Sequence, residues 1–287
     1  MNLPFIAGTP AEARKFLSGT GCCIGRVGLV PTMGFLHEGH LSLVRRAREE
    51  NDICAVSIFV NPLQFGPSED LGSYPRDMEK DMGLLSGEGV DLVYAPSPET
   101  MYFPDRSILV TENSLSRCLC GAARPGHFDG VCTVVLKLFN VINPDRAYFG
   151  QKDYQQLQVI KRMVRDLDLA VEIIGCPIIR EPDGLALSSR NIYLGKDERR
   201  EALALSRSLD VAGSMVNSGE TSSELILKKV REVIGSSPLV MLEYAEIRNA
   251  EDLSVVETIE RCAVCAIAAR VGRARLIDNR ILERRES

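Results

Sequence analysis

The sequence predicts an α/β protein built on a doubly wound, Rossmann-like parallel sheet, followed by a smaller α+β part. Three observations carry that expectation. Apolar runs without alternation, such as residues 53–60, read as strands buried on both faces. Helical stretches follow such strands in turn as far as residue 180, the mark of a sheet wound with helices on both sides. Polar, glycine-bearing loops leave the carboxyl ends of the strands, where sheets of this kind bind their ligands.

Taken in order, residues 26–31 read as a strand and 41–50 as an amphipathic helix, with Leu41, Val44 and Ala47 on one face. Residues 53–60 form the second strand, closed by Asn61-Pro62, and a polar loop through Gly66, Pro67 and Ser68 leads to Tyr74-Pro75-Arg76 and a helix over 77–85. Residues 91–95 and 107–111 read as the third and fourth strands. The turn-rich stretch 121–130 introduces an apolar helix over 131–141. A short strand at 147–149, a loop over 150–153, a helix to residue 166 and a strand at 171–174 close the alternation. Beyond residue 181 two helical segments, 197–217 and 222–234, precede strands at 241–247, 262–271 and 274–278. The change of pattern near Ile179 to Pro182 divides the chain into a first domain over 1–180 and a second over 181–287.

Bulk properties remove several classes of function. A net charge of −5 lacks the basic footprint of a nucleic-acid binder. No apolar run reaches the length of a membrane span, and no basic segment with an apolar core opens the chain, so a cytoplasmic protein is expected. Nine cysteines, an odd and scattered set, fit reduced thiols better than a disulfide framework. Cys262 and Cys265 fall on a predicted strand at an odd offset, which points them to opposite faces and argues against a shared metal. There is no P-loop, no Gly-x-Gly-x-x-Gly after the first strand and no Gly-x-Ser-x-Gly elbow.

Chemistry concentrates in four places. Between Val30 and His40 an apolar strand gives way to a glycine-bearing turn and a helix, bringing His37 and His40 to a helix N-terminus, where free N–H groups and the helix dipole favour a phosphate. The same spacing suits a metal chelate, which needs two further ligands, or a plain helix cap. Gly150-Gln151-Lys152-Asp153 offers a turn, a compact positive charge and a helix-capping carboxylate. Ser188-Ser189-Arg190 sets two hydroxyls beside a guanidinium, a phosphate-gripping group or a polar helix-entry loop. Asn61 and Gln64 are neutral amides at a strand end, suited to reading hydroxyl and carboxylate oxygens. Arg124 and His127 stand in the glycine-rich loop.

Read together, these motifs resemble the pantothenate synthetase family, the pantoate–β-alanine ligases of coenzyme A biosynthesis. The resemblance rests on Pro31-Thr32-Met33-Gly34 through His40, Phe59-Val60-Asn61-Pro62 with Gln64-Phe65, Tyr74-Pro75-Arg76, Arg124-Pro125-Gly126-His127-Phe128, Phe149-Gly150-Gln151-Lys152-Asp153 with Gln155-Gln156, and Ser188-Ser189-Arg190-Asn191. It covers nearly the whole chain. His-x-Gly-His by itself is shared with many nucleotidyltransferases; the ordered set is specific.

The resemblance implies that ATP and pantoate form an enzyme-bound pantoyl adenylate and pyrophosphate, after which the β-alanine amine attacks the acyl carbon and AMP leaves. It gives the catalytic work of holding the ATP phosphates to His37, His40, Lys152, Ser188, Ser189 and Arg190. Met33, Gly150, Asp153 and Ile179 join them in the ATP site. Pro31, Thr32, Met33, Asn61, Gln64, Tyr74, Arg124, His127 and Gln156 are placed toward pantoate and β-alanine. Mg2+ is expected on the phosphate oxygens and water, with Asp81 as the candidate protein ligand. The resemblance further implies a homodimer and a C-terminal domain that closes over the site. Phe35 and Pro182 stand where the family commonly has alanine. The rival readings are a nucleotidyltransferase acting on a phosphate ester, for which a second basic site is needed, and a non-catalytic nucleotide-binding module.

Overall fold

The computed structural model describes residues 3–19, 25–67 and 69–284; Ser68 of the predicted polar loop, and Cys22 and Cys23 among the cysteines, lie outside the described residues. The chain runs β1 (Phe5–Ala7), α1 (Pro10–Gly19), β2 (Val27–Thr32), α2 (Glu38–Glu50), β3 (Ile53–Ile58), α3 (Met78–Gly87), β4 (Leu92–Tyr94) and the short α4 (Pro98–Met101) and α5 (Leu119–Ala123). It continues through α6 (His127–Ile142), β5 (Arg146–Gly150), α7 (Tyr154–Asp166) and β6 (Glu172–Cys176). The remainder holds α8 (Lys196–Ala202), α9 (Ala204–Asn217), α10 (Ser223–Gly235), β7 (Val240–Asn249), β8 (Cys262–Val271) and β9 (Ala274–Glu283).

Six strands form one sheet in the order β1-β4-β3-β2-β5-β6, with every pairing parallel. All six residues of β3 are buried. Neighbouring side chains part to opposite faces: Leu29 and Ala55 join the core shared with α1, α6 and α7, whereas Val30, Cys54 and Val56 join that of α2 and α3. This is why the apolar runs show no alternation. The order turns back on itself between β2 and β5, so a crevice opens beyond their carboxyl ends.

In the C-terminal domain the antiparallel sheet β7-β8-β9 packs against α9 and α10. Cys265, Ile267 and Ala269 point into that core, while Val264 joins the core of the parallel sheet. Cys262 packs against the core of α1, α6 and α7, and Cys265 lies within that of α9 and α10.

Four readings of the sequence are corrected. Residues 107–111 belong to no strand; Ile108 is 79% exposed and Leu109 53%, and the Val110 N–H is taken by Thr133 Oγ1 at 3.0 Å. Helix α6 starts four residues early, because Gly126 at φ 80° turns the chain directly into His127. The long helix predicted over 197–217 breaks at Leu203, whose carbonyl takes Ser206 Oγ and Arg207 Nε as well as the Arg207 N–H. The N-terminal segment, left unassigned in the sequence, holds β1 and α1, of which β1 exposes Phe5 and Ile6 and α1 buries only Ala13 and Leu17.

Candidate active site

The crevice holds a cavity of about 260 Å3. Pro31, Thr32 and Met33 line it from the end of β2, and Gly150, Lys152 and Asp153 from the loop after β5. Thr32 Oγ1 donates to the Ser57 carbonyl at 2.7 Å and accepts the Gly34 N–H at 3.2 Å. The chain then turns through Gly34 at φ 80° and Phe35 at φ 50°, a left-handed conformation that is costly for phenylalanine. Asp81 holds the turn: its two carboxylate oxygens accept the Phe35 and Leu36 N–H groups at 2.7 Å each. It is buried, and burial pushes its carboxyl pKa up. Expected as a cation ligand, Asp81 stands outside the cavity lining and supports the turn.

That turn delivers His37 to the N-terminal cap of α2 and His40 to its first turn. His40 Nδ1 accepts the His37 backbone N–H at 3.3 Å, which leaves the proton of the neutral ring on Nε2. The rings lie 4.0 Å apart, and Gly39 makes room for them, since a Cβ there would come within 3.0 Å of the His37 ring. Burial, with the Lys152 charge nearby, pushes His37 down to about 4; burial, with His37 and Lys152, pushes His40 down to about 3. Both imidazoles are therefore neutral near pH 7 and act as hydrogen-bonding dipoles. His37 Nδ1 and Ser57 Oγ, two buried atoms of cavity-lining residues, have no hydrogen-bond partner in the protein, the signature of a place for a polar ligand.

Gln64 and Gln156 bring two amides to the cavity, and Met33 and Tyr74 stand beside them. Asn61 does not line it. Its Nδ2 donates to Gln64 Oε1 at 2.9 Å and the Gly130 carbonyl at 3.0 Å, while Oδ1 accepts Tyr102 OH at 2.9 Å and the Leu63 N–H at 3.2 Å. With every polar position used, Asn61 orients Gln64 from behind. His127 Nδ1 donates to the Gln64 carbonyl at 2.8 Å, so its Nε2 accepts from Arg124 Nη1 at 3.1 Å; burial and that guanidinium hold its pKa at about 4.

A small hairpin carries the hydroxyl cluster. Glu181 N–H bonds the Leu185 carbonyl at 2.8 Å and Leu187 N–H the Ile179 carbonyl at 3.0 Å, which sets Ile179, Ser188, Ser189 and Arg190 along the cavity. Ser189 Oγ donates to the Phe35 carbonyl at 3.4 Å, tying this loop to the histidine turn. Arg190 makes a two-pronged pair with Asp70 at 3.0 and 2.8 Å, and Arg124 one with Glu69 at 2.6 Å through both prongs. Two adjacent carboxylates thus occupy the guanidiniums that face the cavity.

Every residue expected from the sequence in the nucleotide or acid site lines the cavity except Asn61, and the expected cation ligand Asp81 lies outside it. Missed was the apolar wall of Val131, Val134, Val135 and Leu138, which recur at helical spacing on α6. That helix is apolar on most of its circumference, so periodicity alone does not separate its cavity face from its core face.

A family model described as pantoate-beta-alanine ligase matches residues 6–281. The chain belongs to the pantoate-beta-alanine ligase family. Pantothenate synthetase of Pseudothermotoga lettingae is 59% identical over 256 residues, 89% of this chain and 91% of that protein. That of Roseiflexus castenholzii is 53% identical over 273 residues, 95% and 98% of the two chains. Among solved structures, pantothenate synthetase from Thermus thermophilus superposes with a TM-score of 0.91 at 47% identity, covering 96% of this chain and 98% of that one. Pantoate-beta-alanine ligase from Francisella tularensis, a complex with beta-gamma ATP and beta-alanine, gives 0.79 at 32% identity, covering 97% of each. As a member of the ligase family the chain is an enzyme, and the parallel sheet with its small antiparallel partner is the family's fold.

Proposed function

We propose that this ligase condenses pantoate with β-alanine in an ATP-dependent reaction that passes through an enzyme-bound pantoyl adenylate. The observation that carries the reading is the convergence, in one cavity, of neutral imidazoles, a lysine, two hydroxyls and an arginine with a pair of amides. The first set suits a polyphosphate and the second a hydroxy acid. The Francisella relative's complex with beta-gamma ATP and beta-alanine supports it.

In the first step a pantoate carboxylate oxygen attacks the α-phosphorus of ATP and the bond to pyrophosphate breaks. His40 donates from Nε2, and His37 with it, to oxygens that gain charge at the attacked phosphorus, while Lys152, Ser188, Ser189 and Arg190 hold the departing phosphates. Gln64 and Gln156 fix the acid, and the wall of α6 receives its methyl-bearing carbon. Met33, Gly150, Asp153 and Ile179 lie on the nucleotide side, with Asp153 accepting ribose hydroxyls; Pro31, Thr32, Tyr74, Arg124 and His127 lie on the acid and amine side. In the second step the β-alanine amine attacks the acyl carbon, the amide bond forms and AMP leaves. Closure by the domain over 181–287 onto that over 1–180 would keep water from the acyl adenylate.

Magnesium would arrive on ATP, held by phosphate oxygens and water. The described residues contain no cluster of three or more acidic, histidine or cysteine side chains to cage it. We place the enzyme in the cytoplasm, in keeping with seven described cysteines that are free thiols. We also propose a homodimer joined through the segment 107–111, where Ile108 and Leu109 stand exposed.

Exchange of labelled pyrophosphate into ATP tests the reaction. Exchange should require pantoate, and later addition of β-alanine should release AMP and pantothenate. Exchange without pantoate, or ADP as the product, would overturn the reading. His40→Ala and Lys152→Ala should each slow exchange by about 100-fold or more with the fold intact.

A further inference from the structure

We infer that Asn279, with Asp278 beside it on β9, is a positioning residue through which the C-terminal domain sets both anion-holding loops. This inference rests on the adenylation reading above. Asn279 is 5% exposed, and its Nδ2 donates to the carbonyls of Gln151 and Lys152 at 2.9 Å each. Those carbonyls belong to the single turn 151–153 between β5 and α7, which has no side-chain cap of its own. Lys152 places a point charge on a long, flexible stem, so the aim of its ammonium depends on where its backbone is pinned.

Asp278, 3% exposed, grips the other loop. Its carboxylate makes a two-pronged pair with Arg180 at 2.7 and 2.9 Å, and Arg180 Nη1 reaches on to the Gly184 carbonyl at 3.1 Å. Arg180 stands at the base of the hairpin that presents Ser188, Ser189 and Arg190, bridged there to Ala186. Successive side chains of a strand diverge, so one dipeptide reaches two loops. Both residues border a hollow of about 180 Å3 between the domains and are absent from the lining of the main cavity, so they act through Lys152 and the hairpin. The strand holding them is paired along its whole length with β8, which makes the anchor rigid.

The half-reactions separate this role from a general structural one. Asn279→Ala should slow pantoate-dependent pyrophosphate exchange by about 100-fold, the scale of a displacement near 1 Å in a reacting group. Aminolysis of preformed pantoyl adenylate by β-alanine, which uses no β- or γ-phosphate, should keep the parent rate. Asn279→Asp conserves volume and removes both donors, so it should match Asn279→Ala. In a Lys152→Ala background Asn279→Ala should cost little more, since the two act as a unit. Equal losses in both half-reactions, or losses that multiply in the double variant, would overturn the inference. So would parent-like exchange in both Asn279 variants. Absence of pantoate-dependent exchange in the unmodified protein would instead bring down the adenylation reading and this inference with it.

Discussion

Asp81 illustrates how much a single buried side chain does in this enzyme. It satisfies the N–H groups of Phe35 and Leu36 at the one turn that a phenylalanine takes with positive φ before the histidines. Asp81→Ala leaves both donors without a partner and should destabilise the fold by about 2 to 5 kcal/mol, measured by urea unfolding. A loss below about 0.5 kcal/mol would show that the turn holds itself. The three histidines add a dependence on pH. Their folded pKa values of about 4, 3 and 4 for His37, His40 and His127 lie below the ordinary 6.5, so between pH 6.5 and about 4 the unfolded chain binds protons that the folded chain refuses. The stability they contribute is complete above pH 6.5 and is lost on acidification through that window. His40→Asn should flatten the fall in the urea midpoint between pH 7 and 5; an unchanged slope would refute this.

The same residues mark where the sequence could be read and where it could not. His37, Lys152 and Arg190 stand in short contiguous motifs beside glycine or serine, and such local patterns survive without knowledge of the fold. Asn61 looked like a ligand because an amide at a strand end suits one. Two of its four partners, the Tyr102 hydroxyl and the Gly130 carbonyl, are 41 and 69 residues away, and nothing local announces them.

At the scale of elements, α6 and the turn 62–64 form a coupled pair. A Cβ on Gly130 would come within 2.3 Å of the Leu63 carbonyl oxygen and 2.9 Å of the Gln64 nitrogen, both backbone atoms. Gly130→Ala should therefore push the turn away, displace Gln64 and raise KM for pantoate about tenfold, with a stability cost of about 1 to 3 kcal/mol. An unchanged KM would mean that the turn is free to follow. The sheet's strands were legible because burial on both faces writes an unbroken apolar run. The segment 107–111 carries the same signal without belonging to a sheet, since composition reports an extended apolar chain and says nothing about its neighbour.

Taken whole, the molecule has three cores, two of which meet across β8 and β9. Val264 packs with the parallel sheet while Cys265 packs with α9 and α10, so the small sheet contributes to both cores. In the proposed homodimer the exposed Ile108 and Leu109 are the apolar surface that the second copy would cover. Ile108→Asp should shift the protein from dimer to monomer in sedimentation velocity at micromolar concentration; a dimer unaffected by the change would place the interface elsewhere. The alternation of strand and helix made the parallel sheet readable, whereas β1 fell outside it because Phe5 and Ile6 stand exposed, and α1 because it buries only Ala13 and Leu17.

Glu69 and Asp70 are fastened to the same chain as the guanidiniums they face, so each arginine meets a carboxylate at a concentration fixed by the loop and not by the solution. An arriving anion must evict that occupant. A chloride or acetate brings one charge against a two-pronged carboxylate and gains little, while in the proposed reaction a polyphosphate would bring several charges and meet Lys152 and the serines beside Arg190. On the proposed adenylation reading, the resting enzyme would thus carry its own competitor for the anion and favour guests with several charges.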